Sequence, residues 1–62
     1  MNGYYKLVIE VLTANGYWFL RNGKGAHEIW TNGARNQTVS FNMPSRHMAN
    51  EIMKQAGIDH HF

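Results

Sequence analysis

The chain contains no cysteine, which leaves neither a disulfide framework nor a thiolate zinc knuckle, and four histidines alone do not easily build a structural metal site. A reducing, cytoplasmic setting is the simplest expectation. Acidic residues are few, four Asp and Glu against six Lys and Arg, so the formal net charge is +2. An excess of that size permits an anionic partner such as RNA without requiring one. The longest aliphatic run, Leu7 to Ile9, is far too short for a signal-peptide core or a membrane span, so neither export nor a membrane is expected. With 62 residues the expectation is one domain, residues 1–62, with no room for a second module or a cofactor-sized cleft.

What is present patterns cleanly. Tyr4, Leu7, Val8, Val11 and Leu12 recur at the spacing that stacks side chains on one helical face, which predicts a helix from Tyr4 to Ala14. Asn2 is placed to cap it, Asn15-Gly16 to end it, and Lys6, Glu10 and Thr13 to face water. Tyr17 to Arg21 reads as a strand with Trp18 and Leu20 on one side and Tyr17, Phe19 and Arg21 on the other. Asn22 to Gly25 turns the chain into a second strand, His27 to Thr31, and Asn32-Gly33 turns it again into a third, around Gln37 to Phe41. The single proline, Pro44, closes this meander. Ser45 is the expected N-cap of a second helix from Arg46 to about Ala56, with an apolar stripe of Met48, Ala49, Ile52, Met53 and Ala56. Gly57 ends it, and Ile58 can fold back onto the core. The expected architecture is α+β, in the order α-β-β-β-α, with a three-stranded antiparallel sheet, two helices on one face and the other face partly open.

Chemistry concentrates in Arg21 to Trp30. Glycines at 23 and 25 allow a backbone turn to approach an anion, Arg21 and Lys24 can neutralise it, and the imidazole of His27 can move a proton near neutral pH. The same string also suits a plain hairpin turn, and strand parity pairs His27 with Ile29 without settling which sheet face they share. A metalloprotease motif is absent, because the residue four beyond His27 is Thr31 and the segment is strand-like. Asp59, His60 and His61 read as a solvated tail, and His47 as a solvent-facing or partly packed helix residue. Among the aromatics, Trp18 is expected inside, which leaves Tyr17, Phe19 and Trp30 for any surface role such as base stacking.

Several strings share an order and spacing with a known family. Ala14-Asn15-Gly16-Tyr17 ends the first helix, Arg21 precedes Gly23-Lys24-Gly25-x-His27, and Ser45-Arg46 leads through Lys54-Gln55-Ala56-Gly57-Ile58. On these, over nearly its whole length, the chain resembles the HicA toxins, also called YcfA-like proteins. Those are small mRNA interferases of bacterial HicAB toxin-antitoxin systems with a double-stranded-RNA-binding-like fold. Ala26 stands where the family usually has serine, and Glu28 where some members carry a second histidine.

The resemblance implies a metal-independent endoribonuclease with His27 as catalytic acid or base. It implies Arg21 and Lys24 as electrostatic helpers on the RNA, Gly23 and Gly25 as the residues shaping the turn, and a HicB-like antitoxin as protein partner. Neither a metal nor a small-molecule cofactor is implied. Glu28 and His47 stand as candidates for a second proton-transfer group. The alternative is a non-catalytic double-stranded RNA-binding module using the same fold and basic turn.

Overall fold

Val8 and Leu12, one helical turn apart, are both fully buried, and they define the face by which the first helix joins the core. The computed structural model describes residues 3–62. Helix α1 spans Tyr5–Ala14, strands β1, β2 and β3 span Trp18–Asn22, His27–Thr31 and Asn36–Ser40, and helix α2 spans Arg46–Gln55. The ends fall within about a residue of those the sequence predicts. The strands pair antiparallel in the order β1-β2-β3, so β2 is central. Both helices lie on one face, giving the α-β-β-β-α arrangement. The shortest of the three extents, 28 × 27 × 16 Å, accommodates one sheet layer and one helix layer.

Local signals act at the helix ends as expected. The oxygen of Ser45 accepts from the His47 amide at 3.1 Å, starting α2. After α1, Gly16 takes φ +85° and the Tyr17 amide donates to the Leu12 carbonyl at 3.0 Å, a C-cap that an L side chain would strain. The expected cap at the other end, Asn2, lies outside the described residues. There Tyr4 is the N-cap residue without a side-chain bond, and its amide donates to the Met43 carbonyl at 3.1 Å.

The core is Val8, Leu12, Val39, Met43, Ala49, Ile52, Met53 and Ala56, closed by Tyr17 and Trp30. Each large apolar side chain buried there contributes roughly 1.5–3 kcal/mol. The C-terminal carbonyls of α2 are met by the rest of the fold. Arg35 donates to the Gln55 carbonyl at 3.2 Å and the Tyr17 hydroxyl to that of Ala56 at 2.9 Å. Ile58 folds back as expected, its amide bonding the Met53 carbonyl at 2.9 Å and its side chain packing on the core.

Four expectations are corrected. Trp18 is 52% exposed, not buried, while Tyr17 at 3% and Trp30 at 9% are inside. The reason is position: Trp30 is on the central strand facing the helices, and Tyr17 sits before β1 where its hydroxyl reaches α2. Trp18 belongs to an edge strand and faces outward. Leu7 and Met48 lie at the margins of their apolar stripes and are exposed, whereas Tyr5 and Ile9 pack against the core instead. The two-sided grouping along β1 also fails, because a bulge falls between Phe19 and Arg21. Phe19 pairs with Trp30 and Arg21 with Ile29, so these two odd-numbered residues point to opposite faces.

Candidate active site on the open face of the sheet

Register assigns the open face. Glu28 and Trp30 point into the helix layer, so His27, Ile29 and Thr31 point away from it. Opposite them on β3 stand Ser40, Thr38 and Asn36, and on β1 Arg21 opposes Ile29 and Trp18 opposes Thr31. Without the bulge, Trp18 and Arg21 would fall on opposite faces; with it, both join His27. Arg21 is the diagonal neighbour of His27 across the β1–β2 pair. Such positions are about 7–8 Å apart, within the reach of a guanidinium.

His27 is exposed and its backbone is fixed from both sides. The Gly23 amide donates to the His27 carbonyl at 2.9 Å, and the Phe41 amide to the Ala26 carbonyl at 2.9 Å. The imidazole is fixed as well, with Nδ1 at 2.9 Å from the carbonyl oxygen of Lys24. A carbonyl only accepts, so Nδ1 carries the hydrogen and, in the neutral ring, Nε2 presents a lone pair. A ring held in this tautomer can take a proton at Nε2.

The two glycines act differently from each other. Gly25 has φ +65°, which turns the chain so that the Lys24 carbonyl meets the imidazole. Gly23 has no positive φ and is a close-approach residue: a Cβ there would lie 3.3 Å from Cδ1 of Ile29 and 3.5 Å from Cβ of His27. Its amide is spent inside the hairpin, so it shapes the ground under His27 and does not itself offer an N–H to an anion. Lys24 is exposed in the turn between these glycines.

Glu28 has no place beside His27. It is 8% exposed, faces α1, and its Oε1 accepts from the Tyr5 hydroxyl at 2.6 Å and from Trp30 Nε1 at 3.0 Å. It is a structural clamp, corrected from a candidate for proton transfer. His47, exposed on α2, stands in the helix layer away from the open face. Asp59, His60 and His61 line a cavity of about 380 Å³ between α2 and the tail, and among the described residues no three His, Asp or Glu converge in a way that could hold a metal ion.

The sequence reading missed the exposure of Trp18 beside this site. The signal was available in the order of strands, since an edge position is where a large residue is least covered. No family model, no curated protein and no solved structure matches this chain.

Proposed function

We propose that this chain is a HicA-type toxin, a metal-independent endoribonuclease that cleaves mRNA in the cytoplasm with His27 as general base. The observation that carries the reading is the exposed imidazole held by the Lys24 carbonyl in the tautomer whose Nε2 can accept a proton. In the proposed reaction Nε2 takes the proton of a ribose 2′-hydroxyl. The 2′ oxygen attacks the adjacent phosphorus, the bond from phosphorus to the 5′ oxygen breaks, and the departing oxygen takes a proton from water. The products are a 2′,3′-cyclic phosphate and a 5′-hydroxyl end. Arg21 and Lys24 stabilise the charge that builds on the phosphorane.

A HicB-like antitoxin is the proposed protein partner, acting by covering the face that carries His27. Among the described residues no helix is long and apolar enough to cross a membrane.

Incubating the purified chain with RNA in EDTA tests the reading. Wild type should release 5′-hydroxyl fragments and leave DNA of the same sequence intact, and His27→Ala should be inactive. RNA binding without cleavage by either protein would favour the non-catalytic binding module, and equal cleavage by both would remove His27 from the mechanism.

A further inference from the structure

We infer that Trp18 is a stacking platform for an unpaired RNA base, so that the RNA crosses the open sheet face as a single strand. The inference rests on the proposed RNA-directed function and adds to it a binding residue and the strandedness of the ligand.

Three observations carry it. First, the indole is half exposed yet anchored: Trp18 pairs with Thr31, and a Cβ on Gly33 would sit 3.5 Å from Cη2 of the ring, so the side chain rests on the glycine of the β2–β3 turn. The support is firm, because the Thr31 hydroxyl donates to the Arg35 carbonyl at 3.1 Å and accepts from the Gly33 amide at 3.1 Å. An aromatic ring held this way loses little freedom when a base settles on it.

Second, charge is segregated between the layers. All four acidic residues, Glu10, Glu28, Glu51 and Asp59, belong to α1, the helix-facing side of β2, α2 and the segment after α2. The open face carries Arg21, the imidazole of His27, the hydroxyls of Thr38 and Ser40, and the amide of Asn36. A polyanion meets no like charge there, and Arg21, the next residue of β1 on this face, stands beside the indole.

Third, the spacing suits a chain of nucleotides. Thr31, beneath Trp18, is four residues along β2 from His27, about 13 Å at strand rise. The stacked base therefore belongs to a nucleotide near the scissile one and not to the one that is cut, with Arg21 between them along the path. Bases in a duplex are paired and stacked on each other and offer only their edges, so a platform of this kind selects unpaired strands.

The test uses the full chain and a 2′-O-methyl oligonucleotide, which binds but offers no attacking hydroxyl, either single or annealed to its complement. Binding is read by fluorescence anisotropy, and indole quenching separates Trp18 from the buried Trp30. The expected results are single-strand affinity at least tenfold above duplex, quenching on binding, a loss of about tenfold or more in Trp18→Ala, and near-normal affinity in Trp18→Phe. Overturning results are a folded Trp18→Ala that binds within twofold of wild type, duplex bound as tightly as single strand, or an emission change with protein concentration alone, which would mean a second copy covers the face. Should Trp18→Ala not fold, absence of quenching in the unmodified chain is decisive against the inference. The binding readout is independent of cleavage. Trp18-dependent binding together with His27-independent cleavage would sink the catalytic reading and keep the platform, and the opposite pattern would do the reverse.

Discussion

The hydroxyl of Tyr5 donates to Oε1 of Glu28 at 2.6 Å, joining α1 to the central strand one residue from His27. The same carboxylate oxygen takes the Trp30 indole N–H at 3.0 Å, so one buried acid fixes a helix, a strand and a core aromatic together. Two donors on one oxygen are what make burial of that carboxylate tolerable, since an unpartnered charge there would be costly.

This relationship sets an alkaline limit on stability. Burial, then the hydrogen bond to Glu28, then the negative charge of Glu28 push the Tyr5 hydroxyl from its ordinary value of 10 up to about 12. The folded-state value lies above the unfolded one, so the contribution is fully present below about pH 10 and is lost as pH rises through about 12. Tyr5→Phe should lower stability by about 1–3 kcal/mol at pH 7 and flatten the decline between pH 10 and 12. Urea midpoints measured across that range check both, and an unchanged alkaline decline in Tyr5→Phe would contradict the assignment.

The carbonyl of Ala56 depends on Tyr17. Its hydroxyl is the buried partner of that helix-terminal oxygen at 2.9 Å, so Tyr17→Phe removes one hydrogen bond while keeping the ring. A loss of about 1–2 kcal/mol is expected, a drop of several degrees in thermal midpoint for a domain of this size. Arg35→Ala, which gives up an exposed bond to Gln55, should cost less, about 0.5–1 kcal/mol. Paired thermal melts give the order.

The element order was readable because helical periodicity, Asn-Gly turns and the Ser45 cap are local signals that tertiary contacts reinforce. The aromatic assignments were not, because burial of Tyr17, Trp18 and Trp30 depends on which sheet face each residue takes and on the bulge at Leu20, and neither is encoded in spacing alone. Met43 lay in a segment without periodicity, so its complete burial had no local signature. At the site, the glycine turn and His27 were legible as a cluster. The Lys24 carbonyl that orients the ring, and the separation of Glu28 onto the opposite face, required the fold.

The two glycines beside His27 make a matched test. Gly25→Ala places a side chain at φ +65°, which should cost about 1 kcal/mol in stability, with Gly25→Asn less harmful because asparagine tolerates the left-handed region. Gly23→Ala meets no such backbone penalty but presses on Ile29 and His27 at 3.3–3.5 Å. Its expected signature is a smaller stability loss with a larger loss of ribonuclease activity. Denaturation midpoints set beside initial cleavage rates separate the two, and equal behaviour of the variants would refute the division of labour.

Adjacent residues of β2 should respond in opposite ways to truncation. His27 is exposed, and its ring bonds only a carbonyl that water can serve instead, so His27→Ala should unfold within about 0.5 kcal/mol of wild type. Its cleavage rate should fall about 10² to 10⁴-fold, the usual contribution of a positioned acid or base. Glu28→Ala strands the Tyr5 hydroxyl and the Trp30 N–H and opens a hole under α1, which should cost about 2–5 kcal/mol. Native domains are stable by only about 0.05–0.15 kcal/mol per residue, so that loss would consume most of the margin of a 62-residue chain. Circular dichroism melts together with single-turnover cleavage at a temperature where Glu28→Ala remains folded decide the matter. Activity should persist in the folded fraction of Glu28→Ala and be missing from fully folded His27→Ala, and the reverse pattern would move the proton-transfer role from the open face to the buried one.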